Sequence, residues 1–406
     1  MLPNGWKKLK LGDVAKVTSG GTPLRTRSEY WNGNIPWVKT AQIQNGYISK
    51  DQVDEYITEL GVKESSAKIV PKGTLLMAMY GQGKTRGQVA ILDIDATINQ
   101  ACAAFRLKEN DVSTQYLFQY FLFNYENVRN LSNDGGQKNL SAEIIKKIPL
   151  DLPPLEEQKK IAATLSVWDS AIEKMEKLIE AKEDQKKSLI WKLIESNDNR
   201  KIKLGKVVVD KNKWRKSKLS DVASGFDYGM NAAAKEYDGK NKYIRITDID
   251  DVSHKFNSID LVSPNAELED KYRVNEGDIL FARTGASTGK SYLYDKKDGV
   301  LYFAGFLIRV HVLKDDPFFI YVQTLSSKYQ NWLKKMSMRS GQPGVNAEEY
   351  KNLPILVPTL PEQNAITEVL FATDKELSLL KQQLENYKKQ KQGLMQKLLT
   401  GQWQVK

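Results

Sequence analysis

The segment from Ile148 to Gln158, IPLDLPPLEEQ, returns 205 positions later as LPILVPTLPEQ from Leu353 to Gln363. The same offset holds downstream for Ile161 and Ile366, Leu165 and Leu370, Asp169 and Asp374, Lys186 and Lys391, Leu189 and Leu394, Lys192 and Lys397, and Leu193 and Leu398. A gap-free register over about 45 residues marks an internal repeat. Fainter echoes precede it. Trp6 with Leu11-Gly12-Asp13-Val14-Ala15 matches Trp214 with Leu219-Ser220-Asp221-Val222-Ala223, and Lys72 to Ala78 matches Glu276 to Ala282. Each half of the 406 residues is therefore a divergent globular part followed by a closely similar tail.

The tails read as helices with a heptad seam. Ile161, Leu165, Trp168, Ile172, Met175, Ile179, Lys182, Lys186, Leu189 and Leu193 follow strict four-three spacing. So do Ile366, Leu370, Thr373, Leu377, Leu380, Leu384, Tyr387, Lys391, Leu394 and Leu398. That spacing keeps one face turned toward a partner helix. Pro153, Pro154, Pro358 and Pro361 stand at the helix starts, where no amide is lost, and Glu156, Glu157 and Glu362 suit the positive dipole end. Residues 197–213 reach only about 56 Å when extended. They run short for returning along a rod of roughly 60 Å, so the pair is expected to be antiparallel. If Ile161 faces Leu398, Lys391 falls opposite Trp168, where its stem can lie along the indole.

The globular parts read as mixed α/β. Strand-like runs at 73–79, 89–92, 103–107, 278–282 and 306–312 alternate with loops rich in Gly, Ser, Thr and Asn, and 116–130 and 318–335 are amphipathic helix candidates. The expected fold class is α/β: two mixed α/β domains separated by two long helices forming an antiparallel coiled coil, a pseudo-two-fold tandem repeat. The chain carries 61 Lys and Arg against 50 Asp and Glu, a formal charge of +11. Nine of those cations and one acid, Asp210, lie between Arg200 and Lys218, so a single stretch holds eight of the charges. That stretch suits either a solvated linker or a phosphate-neutralising surface. With one cysteine, Cys102 set among Ala101, Ala103 and Ala104, no internal disulfide is available and a core position is expected. The N-terminal residues lack the pattern of a secretory signal and no run suits a membrane span, so a cytoplasmic location is expected.

No catalytic constellation emerges. Gly81-Gln82-Gly83-Lys84-Thr85 and Gly285 to Ser291 both contain Gly-Lys-Thr/Ser, but Ala78 and Thr284 stand where a phosphate-binding loop needs glycine. The one Pro-Pro, Pro153-Pro154, sits at a helix start and not in the Asn/Asp-Pro-Pro-aromatic loop of an adenine methyltransferase. His254 and His311 belong to no cluster at zinc spacing. No metal or catalytic residue is assigned.

Recognition remains. Gln82, Lys84, Thr85 and Arg86 in one half, and Arg283, Thr284, Ser287, Thr288 and Lys290 in the other, fall on equivalent Gly-rich turns. Arginine can bridge guanine O6 and N7, Gln and Asn suit adenine, and Ser, Thr and Lys suit phosphates. A second loop pair holds Gln137, Lys138 and Asn139 against Arg339, Gln342 and Asn346, and a third sets Arg25 and Arg27 against Tyr228 and Asn231. Two other classes compete: a stand-alone nucleotide-dependent enzyme built on the Gly-Lys-Thr/Ser loops, and a coiled-coil scaffold that does not bind DNA.

Leu152-Pro153-Pro154-Leu155-Glu156-Glu157-Gln158 and its partner, each followed by a lysine-rich helix, resemble the central repeats of the specificity subunit of type I restriction-modification enzymes. Gly20-Gly21-Thr22-Pro23, Asn34-Ile35-Pro36-Trp37, Ile98-Asn99-Gln100-Ala101-Cys102 and Leu398-Leu399-Thr400-Gly401 are similar to that family too. The second half departs from it: no Asn-Gln pair answers Asn99-Gln100, and Pro-Pro becomes Pro358-Thr359. The resemblance implies target recognition domains at 1–152 and 214–356, helical repeats at 153–196 and 357–406, and a basic linker at 197–213. It implies a non-catalytic DNA-binding subunit that reads a bipartite target, with the helices fixing the spacer. Ile161, Leu165, Trp168, Ile172, Ile366, Leu370, Leu377, Leu380, Leu384 and Leu394 would form the seam and docking region for partners. Those partners would be two methyltransferase subunits using S-adenosylmethionine on adenine N6 and two restriction subunits using ATP and Mg.

Overall fold

The computed structural model describes residues 3–81, 83–108, 111–131, 139–196, 200–337 and 344–405. They form two compact units, one of residues 1–177 with 382–406 and the other of 178–381.

In the first unit, the strands Ala15–Ser19, Cys102–Leu107, Leu75–Ala78, Val89–Leu92 and Tyr47–Ile48 lie in that order in one sheet. Alternate side chains point to opposite faces of a strand, and here both faces are apolar. Leu75, Met77, Val89, Ile91, Ala103 and Phe105 join a core with the helix Thr114–Phe123 and the long helices. Leu76, Ala78, Ala90, Leu92, Cys102 and Ala104 pack on the other side against Val38, Ile43 and Ile48. A second sheet sets Trp37 and Val38 of Trp31–Val38 parallel to Thr97 and Ile98. A two-stranded ribbon of Lys7–Lys10 and Pro149–Leu152 closes the unit beside the first long helix.

The second unit repeats this plan. Ala223–Tyr228, Leu307–Val312, Asp278–Ala282 and Ser291–Leu293 occupy the same order as the first four strands above. Ile279, Phe281, Ile308 and Val310 face one core, and Leu280, Ala282 and Leu307 face another. Arg215–Lys218 pairs with Pro354–Val357 as the ribbon, and Lys242–Ile244 runs parallel to Leu301–Phe303. Even the ties between sheets recur. Trp37 Nε1 donates to the Gly21 carbonyl at 2.9 Å, and the Tyr243 hydroxyl donates to the Met230 carbonyl at 2.7 Å.

The helix candidates at 116–130 and 318–335 are each broken in two, into Thr114–Phe123 with Tyr125–Arg129 and Pro317–Gln323 with Ser327–Ser337. Short polar side chains cause the breaks by capturing backbone carbonyls. Asn124 Nδ2 takes Tyr120 O at 3.0 Å, while the Thr324 and Ser326 hydroxyls take Tyr321 O and Gln323 O at 2.6 and 2.5 Å.

The long helices span Leu155–Ile190, followed by a π turn at Trp191–Glu195, and Leu360–Leu399. Within each unit their segments run antiparallel. In the first, Asp169 pairs with Lys391 and Glu176 with Lys388. In the second, Lys182 pairs with Glu376 at 2.8 Å, Lys186 with Asp374 at 2.5 Å and Glu183 with Lys381 at 2.6 Å. Ile161, Leu165, Ile366, Leu370 and Leu377 are buried, and Trp168, Ile172, Leu380, Leu384 and Leu394 are half-buried. Lys391 lies in the expected register but bonds Asp169, while Trp168 packs edge-on against Tyr387 at 5.9 Å. An opposite charge one residue away outcompetes an aromatic face for the ammonium.

The repeated Glu-Gln acquires a purpose here. Gln158 is fully buried; its Oε1 accepts the Ser113 amide at 2.9 Å, and its Nε2 donates to the carbonyls of Asp111 and Pro153 at 2.9 and 2.8 Å. Gln363, equally buried, accepts the Asp316 amide at 2.8 Å and donates to Asp315 and the Pro358 carbonyl. Ser113 and Asp316 are the N-caps of Thr114–Phe123 and Pro317–Gln323. Each glutamine thus pins the start of a domain helix to the base of a long helix. The preceding glutamate anchors the ribbon end. Glu157 accepts from Trp6 Nε1 at 3.1 Å, and Glu362 accepts the amides of Asp210 and Thr359. Burial raises the Glu362 pKa, but those bonds outweigh it and hold the carboxyl below its ordinary range.

The basic stretch expected as a linker is folded where it is described. Ile202–Leu204 and Val207–Val209 form a hairpin around Gly205, whose φ of 57° suits glycine. Val209 is fully buried in the core with Ile190, Leu193 and Trp214. Three consecutive β-branched valines supply the strand propensity that the charges concealed.

Candidate nucleic-acid interface

In the second unit, turns from four strands converge on a cleft of about 570 Å³. Tyr228, Asn231 and Arg283, drawn from two different sequence loops, meet there. The Arg283 Nε donates to the Gly305 carbonyl at 3.1 Å, and its guanidinium carbon lies 4.9 Å from the Tyr228 ring and 5.9 Å from the Phe306 ring. The Tyr228 hydroxyl accepts the Ala347 amide at 3.2 Å, which fixes the ring. Among the described residues no carboxylate faces Arg283.

The remaining candidates of this unit divide. Thr284 and Ser287 lie half-buried on the turn after Arg283. Lys290 turns away from the cleft to pair with Asp251 and reach the Ile249 carbonyl at 3.4 Å. Asn346 caps the helix Ala347–Lys351, its side chain accepting from the Glu349 amide at 2.9 Å. Arg339 and Gln342 lie outside the described residues, as do Gln82, Gln137 and Lys138.

In the first unit, Arg25 stacks over Trp31 at 3.8 Å and pairs with Glu55, whose carboxyl this hydrogen bond holds below its ordinary range. Arg27 is paired with Glu29 at 2.7 Å and Glu64 at 3.1 Å. The backbone of the turn bearing Lys84, Thr85 and Arg86 is tied down by Arg129, which donates to Gly83 O at 2.5 Å, and by Tyr125, which donates to Lys84 O. Asn139 directly precedes the buried Leu140.

Sequence reading missed Arg245, Thr247 and Phe306, which also line the cleft. Arg245 is committed to Asp248 through two bonds of 2.8 Å. Lys39 answers it in the first unit, paired with Asp54 and Glu55. Phe306 is 57% exposed. Both Gly-Lys-Thr/Ser turns lead into strands, Val89–Leu92 and Ser291–Leu293, and not into the helix N-terminus that a phosphate-binding loop requires. Among the described residues no group of His, Cys, Asp and Glu is arranged to hold a metal, and no helix is long and apolar enough to cross a membrane.

Two α/β units built on one framework, each joined to antiparallel helices, define a duplicated module. The family model for the type I restriction modification DNA specificity domain matches residues 3–183 and again 211–388. The chain belongs to this family. It is 35% identical over 187 residues to the type I restriction enzyme MjaIX specificity subunit of Methanocaldococcus jannaschii, a match spanning 45% of this chain and 42% of that one. To the MjaVIII specificity subunit of the same organism it is 25% identical over 423 aligned positions, spanning 100% of this chain and 94% of that one. Its fold is similar to that of the type I restriction-modification S subunit from M. genitalium, with a TM-score of 0.61, 16% identity and 98% of each chain covered. A chain from a structural study of type I system assembly and conformational transition gives a TM-score of 0.59 at 17% identity, covering 99% of this chain and 100% of that one.

Proposed function

We infer that this chain is the DNA-reading, non-catalytic subunit of a type I restriction-modification complex. The α/β domains, residues 1–152 and 214–356, each read one half of a bipartite target, and the paired helices set the unread spacer and dock two modification subunits. Those partners carry S-adenosylmethionine and methylate adenine N6; two restriction subunits with ATP and Mg complete the assembly in the cytoplasm. One observation carries the reading: residues that build the framework recur between units, whereas those around the cleft do not. Gln158 and Gln363 make matching bonds, while Arg283, Tyr228 and Phe306 have no counterparts of their kind. A nucleotide-dependent enzyme has no support in loops that feed strands. A pure scaffold gives no reason for cleft residues to diverge on a kept frame.

The test is to map methylated adenines in DNA exposed to this chain with its modification subunit, before and after exchange of residues 1–150 for those of a relative. One half-site should change and the other should persist. A change in both halves would refute the division of labour.

A further inference from the structure

Strand register gives a residue-by-residue equivalence between the units. Ala282 pairs with Leu307 as Ala78 pairs with Cys102, and Tyr228 pairs with Ile308 as Ser19 pairs with Ala103. The next residues bond alike. The Arg283 amide donates to Phe306 O at 3.0 Å, and the Met79 amide donates to Ala101 O at 2.8 Å. Arg283, Tyr228 and Phe306 therefore stand where the first unit has Met79, Ser19 and Ala101. The backbone is kept, and all three side chains change together.

The changed set forms a single object. Arg283 spends Nε on the Gly305 carbonyl and lies against two aromatic rings, those of Tyr228 and Phe306, residues that are 45% and 57% exposed. The two terminal nitrogens of the guanidinium remain as a planar pair of donors. Other arginines of the two units are neutralised: Arg245 by Asp248, Arg309 by Asp227, Arg25 by Glu55 and Arg27 by Glu29. A planar donor pair with no carboxylate partner among the described residues matches two acceptors side by side, and in the major groove guanine O6 and N7 present them.

We propose that Arg283, braced by Tyr228 and Phe306, reads a guanine in the half-site of the second unit, and that the first unit makes no such contact at its equivalent position, Met79. The proposal rests on the DNA-reading function above and names the base and the residue. Ordering by the aromatic rings lowers the conformational cost of presenting the fork, so the contact discriminates as well as binds.

The experiment uses the assembly of this chain with its modification subunit and duplexes carrying the mapped target, each guanine pair of the second half-site replaced in turn by 7-deazaguanine. At one position, loss of N7 should weaken wild-type binding about tenfold. The same replacement should leave Arg283→Ala unaffected. Arg283→Lys, which keeps charge without the fork, should behave like Arg283→Ala, and in both variants the base preference at the first half-site should be unaltered. The proposal is overturned if no replaced position distinguishes wild type from Arg283→Ala. It is equally overturned if Arg283→Ala weakens all sequences alike with a shallower salt dependence, which marks a phosphate contact. Absence of any sequence preference in the wild-type assembly would instead sink the DNA-reading function, and this proposal with it.

Discussion

Replacing Gln158 by leucine tests the clamp between long helix and domain. The side chain is fully buried and makes three hydrogen bonds, to the Ser113 amide and to the carbonyls of Asp111 and Pro153. Leucine fills a similar volume, so cavity formation contributes little and the cost is that of stranded polar groups. Each costs about 1–3 kcal/mol when buried. The Ser113 amide loses its partner outright, whereas the carbonyl of the exposed Asp111 recovers hydration, which gives a total of about 3 kcal/mol. For a unit of about 200 residues, that lowers the melting temperature by roughly 6–12 °C. Differential scanning calorimetry of the full chain reads it directly, with Gln363→Leu as the matched perturbation of the second unit. Gln158→Glu keeps the acceptor but loses both donated bonds, and should be no milder. A shift of about 1 °C or less for Gln158→Leu would refute the claim that this glutamine carries the junction.

Two further perturbations address the helix pair and the core. Lys391 is 12% exposed and bonds Asp169, which also accepts from Gln119 Nε2 at 2.6 Å. Lys391→Met leaves a partly screened carboxylate and should cost about 1–2 kcal/mol in urea denaturation. Adding Asp169→Leu should restore most of the loss; a double variant no better than the single would contradict this account. Burial pushes the Cys102 thiol up to about 12. The folded chain should therefore resist Ellman's reagent at pH 8 and react with one equivalent in guanidinium. Because the folded value is raised, stability is intact below the ordinary thiol range and falls as pH climbs through it toward 12, a loss that Cys102→Ala should remove. Rapid labelling of the native chain would show the site to be open.

The helix seam was legible in the sequence because heptad spacing is a local signal, and the antiparallel sense followed from the reach of residues 197–213. The importance of Gln158 was visible as repetition, but its task was not, since its partners lie more than 40 residues away at Asp111 and Ser113. Lys290 and Asn346 have the chemistry of DNA contacts, yet one neutralises Asp251 and the other caps a helix. Only tertiary neighbours decide between those uses. Phe306 stayed hidden because its meeting with Arg283 depends on the pairing of Asp278–Ala282 with Leu307–Val312. The valines of the 207–209 strand were masked by the lysines around them.

The discontinuous makeup of the first unit has a consequence for biosynthesis. Its core contains Met395, Leu398 and Leu399 beside Trp6, Ile161 and Leu165, whereas the second unit is built from the single span 178–381. On the ribosome, the second unit can close its core while the first still waits, its apolar helix face uncovered, for residues 382–399 to emerge. Chain closure over such a separation is slow relative to local folding. The core of the first unit is thus sealed only after that of the second can form, and chaperone demand should concentrate on that interval.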